Sequence, residues 1–189
     1  MKNIAIFASY NGSGFDALYE AINQQKIDIN ISVVISNNSD ANVIQKAKKR
    51  QIPNFVINER KYPNQNISNI IIDILKEYNC DIIFLSGYMK KIDTILIEKF
   101  KIYNAHPSLL PKFGGKGMYG RYVHEAVIKS RQKYSGVTIH EVTKNYDEGQ
   151  IVLQKSLQLN ENETVDSLET KIKQLEKLAI VEAFKDKIL

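Results

Sequence analysis

The sequence predicts an α/β protein: an open, mostly parallel, twisted sheet with helices on both faces, folded as one Rossmann-like domain of 189 residues. Three observations lead there. Short runs rich in Ile, Val and Phe recur along the chain, and most are continuously apolar, as strands covered on both faces are. Helical patterns separate the early runs, so strand and helix alternate. The length suits one domain that buries a full core.

The strands are expected at Ile4–Ala8, Ile31–Ile35, Phe55–Ile57, Ile82–Leu85, Ile102–Asn104, Gly136–Val142 and Ile151–Leu157. Helices are expected near 14–25, 40–51 and 65–79. The third carries Ile67, Ile70, Ile71, Ile74 and Leu75 at helical spacing, a stripe to pack on a sheet. A last long helix, from about Thr164 to Leu189, buries Val165, Leu168, Ile172, Leu175, Leu178 and Ala179. Right-handed crossovers between parallel strands follow from this order. Ligands of such sheets bind beyond the carboxyl ends of the strands, which directs attention to residues 9–14, 86–90, 104–111 and 143–149.

Composition narrows the function classes. Apolar residues make up 43% and charged residues 25%, the balance of a globular protein. Cys80 is the single cysteine, so neither an internal disulfide nor a Cys-based zinc site can form, and it reads as a buried small residue. The run Ile4–Ala8 is too short for a secretory signal, and no stretch approaches the roughly 18 apolar residues of a membrane span. A cytoplasmic protein with no membrane partner is expected. The net charge of +5 is compatible with nucleic acid, anionic lipid or acidic small substrates. The densest basic run, Lys46 to Arg50, reads as a solvated helix face. No basic stripe interleaved with aromatics is present, so no nucleic-acid partner is expected.

The first strand runs into Asn11-Gly12-Ser13-Gly14, and a helix follows at once. Glycines let the backbone approach a ligand, and the free amides with the helix dipole favour a phosphate. Gly12-x-Gly14-x-x-Ala17 also meets the relaxed dinucleotide fingerprint, but Ser36-Asn37-Asn38 stands where a ribose-binding acid is required. A phosphate group is therefore favoured over a nicotinamide cofactor, with a ligand-free tight turn as the alternative.

Asn104-Ala105-His106-Pro107-Ser108-Leu109-Leu110-Pro111 follows the fifth strand. Residues 104 and 106 share one side of an extended strand, so amide and imidazole converge. That pair suits attack on a carbonyl, the amide donating to a developing oxyanion and the histidine moving or stabilising charge. The other histidines, His124 on a helix and His140 inside a strand, read as structural or supporting. No spacing gives three converging ligands, so no metal is expected. Ser108 lacks the nucleophile-elbow context and reads as a local hydrogen-bonding residue. The glycine-rich basic loop 112–121 is placed to cover the site.

These segments, with Leu85-Ser86-Gly87-Tyr88-Met89 and Tyr146-Asp147-Glu148-Gly149, resemble the folate-dependent formyltransferase family in order and approximate spacing over most of the chain. The short length and the phosphate loop single out the members that act on glycinamide ribonucleotide in purine synthesis. The resemblance implies transfer of the formyl group of 10-formyltetrahydrofolate to that substrate's amine, by a monomer or homodimer, without a metal. Another formyl-folate enzyme, such as a hydrolase, is the alternative, and a non-catalytic nucleotide-binding module is the more distant one. It further implies Asn104, His106 and Asp147 as the catalytic trio, with Asp147 keeping His106 cationic. Asn11, Gly12, Ser13 and Gly14 would hold the phosphate, Tyr88, Met89, Lys90 and Asn104 the folate, and Glu176 the ribose. A phosphate-substrate half about 1–100 and a folate and catalytic half about 80–189 follow. Gly14 stands where the family usually has Asn, Lys90 replaces an arginine, and Lys177 stands where a histidine usually follows the glutamate. The arginine expected near 64 is Asn64, leaving Arg60 or Lys61 as its substitute.

Overall fold

Residues 1–189 are described by a computed structural model. In chain order the elements are β1 (Lys2–Phe7), α1 (Ser13–Asn23), β2 (Ile29–Ser36), α2 (Asn42–Lys49), β3 (Asn54–Val56), α3 (Ile67–Glu77), β4 (Ile82–Leu85), α4 (Thr94–Lys99), β5 (Lys101–His106), α5 (Arg121–Lys129), β6 (Tyr134–Glu141), β7 (Ile151–Gln158) and α6 (Val165–Ala183). The strands form a seven-stranded sheet in the order β3-β2-β1-β4-β5-β6-β7. The expected α/β class and mostly parallel sheet are what the chain adopts. It divides into two compact units, Met1–Tyr103 and Asn104–Leu189.

In the first unit β1 pairs in parallel with both β2 and β4, and β2 pairs in parallel with β3. Ile4, Ala5, Ile6, Phe7 and Ala8 are wholly buried, as are Val33, Val34 and Ile35. Burial on both faces is why these strands read as unbroken apolar runs. The chain reverses direction across the sheet between β1 and β4, which opens a crevice at their carboxyl ends. α3 starts on Asn66, whose side chain accepts from the Asn69 N–H, and it buries Ile71, Ile72, Ile74 and Leu75.

In the second unit β6 and β7 form an antiparallel pair, with a register shift between Ile139 and His140. β6 is buried almost throughout, whereas β7 alternates between half-buried and exposed residues. α6 begins with a capping box between Thr164 and Ser167 and buries Leu168, Ile172, Ala179, Ile180 and Ala183. It passes into a π-helical turn over Phe184–Ile188, so the final helix is not one regular helix to Leu189. Of its expected stripe Leu178 is 64% exposed.

Other differences are local. α4, capped by Asp93, carries no sequence expectation because its six residues are too few to display a helical period. Cys80 is half-buried rather than buried, its sulfur 3.2 Å from Ser32 Oγ, and burial pushes its thiol pKa up. The basic run 46–50 is not simply a solvated face: Lys46 and Arg50 both pair with Asp16, at 2.5 and 2.7 Å. No helix is long and apolar enough to cross a membrane.

Candidate active site

In the second unit the structure brings together Asn104, His106 and Asp147, and adds His140. Asn104 and His106 lie at the end of β5, two residues apart and therefore on one side of the strand. His106 is 3% exposed; its Nε2 lies 2.8 Å from the Phe113 carbonyl and its Nδ1 3.6 Å from Asp147 Oδ2. The carbonyl can only accept, so Nε2 carries a proton and Nδ1 is the position open to proton exchange. Burial pushes the His106 pKa below its ordinary value; the nearby Asp147 carboxylate and the Phe113 carbonyl oppose this without reversing it. The expectation of an imidazolium held by Asp147 is corrected on this point: desolvation outweighs the carboxylate, and the resting imidazole favours the neutral form.

His140, 2% exposed on β6, bridges the other two. Its Nδ1 lies 3.0 Å from the Glu141 carbonyl, which fixes the proton there, and its Nε2 lies 3.2 Å from Asn104 Nδ2. With its proton on Nδ1 the ring accepts one of the two amide protons of Asn104 at Nε2 and the second stays available; a ring protonated at both nitrogens donates from Nε2 to Asp147 instead. The same Nε2 is 3.5 Å from Asp147 Oδ1. A hydrogen-bonded structural role is the expectation from the sequence; on β6 His140 stands two residues beyond Thr138, on the same side of the strand, and meets Asn104 and Asp147 there.

Asp147 occupies a turn with φ 57 and is half-buried. Burial opposes its ionisation, but contacts to His140, to His106 and to the Gly115 N–H (2.9 Å) more than offset it, so its pKa lies below the usual carboxylate value. Gly114 packs closely here: a Cβ would stand 2.5 Å from Leu110 Cδ2 and 3.2 Å from Asp147 Cβ, so the leucine side chain would have to shift. Ser108 donates to the Lys112 carbonyl at 2.7 Å, the local role expected of it. His124 is buried on α5 with Nδ1 unpartnered. Glu176, half-buried on α6, has its carboxyl pushed up to about 7 by burial, against the opposing charge of Lys173. No group of three His, Cys, Asp or Glu side chains is arranged to hold a metal ion.

In the first unit the glycine loop leads from β1 into α1. Gly12 takes φ 63, and a Cβ there would meet Val43 Cγ2 at 2.6 Å, so both conformation and space demand glycine. The Gly14 and Phe15 N–H groups point inward to Ser86 Oγ, at 2.9 and 3.3 Å. Gly14 thus shapes the loop, and its own N–H is already spent. Ser9 ties the crevice together, donating to Asn37 Oδ1 and accepting from the Met89 N–H at 2.7 Å. Neither Ser9 nor Ser86 carries a role in the sequence reading, although both fall in segments it singles out.

A cavity of about 510 Å³ opens beside this crevice, and Tyr88, Met89 and Lys90 line it together with Arg60. Tyr88 packs edge-on against Phe7, and burial raises its phenol pKa to about 12. Lys61 does not line the cavity; its ammonium lies 5.7 Å from the Tyr62 ring centre.

Known proteins share this chain's sequence pattern and fold. The sequence profile of the formyl transferase family matches residues 2–184. Phosphoribosylglycinamide formyltransferase of Bacillus subtilis is 34% identical over 93% of this chain and 89% of its own length. The chloroplastic enzyme of the same name from Arabidopsis thaliana is 35% identical over 90% of the chain, which spans 60% of that relative's length. The crystal structure of glycinamide ribonucleotide transformylase 1 from Geobacillus kaustophilus superposes with a TM-score of 0.90 at 30% identity, covering 98% of this chain and 97% of that one. The chain belongs to the formyl transferase family.

Proposed function

We propose that the chain transfers the formyl group of 10-formyltetrahydrofolate to the amine of glycinamide ribonucleotide. The observation that carries this reading is the meeting of an amide donor, two imidazoles and an ionised carboxylate at Asn104, His106, His140 and Asp147. That set can polarise a carbonyl and move a proton without a covalent intermediate. Family membership and the names of the relatives support the substrates.

In the proposed reaction the substrate amine attacks the formyl carbon, forming the new C–N bond as the carbonyl oxygen gains charge. Asn104 donates its uncommitted amide proton to that oxygen. The amine's proton passes by way of the Asp147 carboxylate to Nδ1 of His106, 3.6 Å from it. His106 is neutral at rest and becomes cationic as the oxygen gains its charge, so its electrostatic support arrives when it is needed. The proton then goes to the departing folate nitrogen as its C–N bond breaks, and the pair returns to its starting state. Gly12 and Ser13 supply donors to the phosphate, Asn11 and Gly14 shape that loop, and Glu176 holds the ribose.

Tyr88, Met89 and Lys90 bind the folate, and Arg60 takes the place of the arginine missing at Asn64. Arg60→Ala is expected to raise the KM for the formyl donor by about tenfold or more, the loss of one charge-assisted contact, with KM for the amine unchanged. Steady-state kinetics with both substrates varied checks this.

The deciding experiment follows tetrahydrofolate release with and without glycinamide ribonucleotide. Release that depends on the amine, with one formylated product per turnover, is expected. Release without the amine would instead assign the chain as a formyl-folate hydrolase.

A further inference from the structure

One face of α2 backs the glycine loop. Asn42 Nδ2 donates to the Asn11 side-chain carbonyl at 2.9 Å, and the Val43 N–H donates to the Tyr10 carbonyl at 3.0 Å. One turn on, Lys46 Nζ donates to the Asn11 backbone carbonyl at 2.8 Å and to Asp16 Oδ2 at 2.5 Å. Arg50 Nη2 holds the other oxygen of Asp16 at 2.7 Å. Its guanidinium lies 4.6 Å from the Phe15 ring centre and 4.2 Å from that of Tyr19, which anchors it.

Asp16 lies in the first turn of α1. A carboxylate there stabilises the helix but uses the same field that would attract a phosphate. Two N–H groups of this helix end, those of Gly14 and Phe15, are also spent on Ser86. A loop with a fixed negative charge beside it and two donors turned inward needs a cation to hold a phosphate dianion. Lys46 meets the requirement. An ammonium has three protons, two are engaged here, and the side chain is 21% exposed. Arg50 keeps Asp16 paired when Lys46 turns part of its charge to a ligand.

We propose that Lys46 is a direct ligand of the substrate phosphate, held at the loop by Asn11 and Asp16, with Arg50 as the counter-charge that frees it. This rests on the glycine loop being the phosphate site of the reaction proposed above. Lys46→Met is expected to raise KM for glycinamide ribonucleotide about 10- to 100-fold, the range of one hydrogen bond to a charged group, with kcat little changed. Binding of the phosphate-free glycinamide riboside should be the same in wild type and variant, and Lys46→Arg should restore most of the affinity for the phosphorylated substrate.

The double variant Asp16→Asn/Lys46→Met separates contact from charge balance, and by removing both charges it remains informative if the single variant folds poorly. Continued weak binding in the double variant supports a phosphate ligand. Wild-type affinity in either variant would overturn the proposal, leaving Lys46 only to neutralise Asp16. If wild-type protein itself binds the phosphorylated and phosphate-free amines equally, the glycine-loop reading fails instead.

Discussion

Replacing Asn104 by Ala lowers turnover by about a hundred- to a thousandfold, with KM for both substrates close to wild type. The magnitude is that of one oxyanion donor, roughly 2.7–4 kcal/mol. The amide has two protons, and His140 Nε2 takes one of them at 3.2 Å. The other strengthens its bond only as the formyl oxygen acquires charge, so it acts on the transition state and not on substrate binding. The substitution also strips His140 of its donor partner, a stability loss of about 1 kcal/mol that a melting curve would register separately. Asn104→Asp provides the control. It keeps the shape, removes the donor and sets a second carboxylate near Asp147, so turnover should fall at least as far. Single-turnover measurement of tetrahydrofolate release separates chemistry from product dissociation. Turnover within tenfold of wild type in Asn104→Ala would remove Asn104 from the catalytic group.

The sheet was legible in the sequence because its central strands are buried on both faces and leave unbroken apolar runs at Ile4–Ala8 and Ile82–Leu85. β7 was legible by position but not by pattern, since its residues alternate in exposure. α4 was hidden by its length, although Asp93, accepting from the Ile95 N–H, is a cap that could have marked it. Strand periodicity suggested that Asn104 and His106 converge, and the Asn-Ala-His-Pro signature of the resemblance singled them out. Asp147 came from the resemblance, because the turn that brings it back across some forty residues of chain follows no local rule. His140 was visible as a strand histidine, but its bridging role depends on Asn104 and Asp147, which come from distant segments of the chain. The basic run at 46–50 shows the general limit: sequence gives the charges, and only the fold supplies Asp16 opposite them.

Asp147→Asn removes the carboxylate that receives the amine's proton, and turnover is expected to fall about 10²- to 10⁴-fold, the usual range for a positioned acid–base group. Its pH dependence makes the stronger test. The pair accepts a proton only with His106 neutral, so the acid limb of the rate profile follows His106, whose pKa lies below its ordinary 6.5 because burial outweighs Asp147. Without the carboxylate that opposing influence is gone, His106 titrates lower still, and the residual acid limb moves to lower pH. Stability shifts by the same linkage. Asp147 titrates below its ordinary 3.8 in the folded protein, so its ionised form stabilises the fold above that value and the contribution is lost as pH falls through the folded pKa. The variant should therefore melt below wild type at neutral pH, and the gap should close under strongly acid conditions, where a protonated Asp and an Asn are alike. An acid limb that stays where wild type has it would show that Asp147 does not act on His106, and the carboxylate would then serve only to order the Gly115 turn.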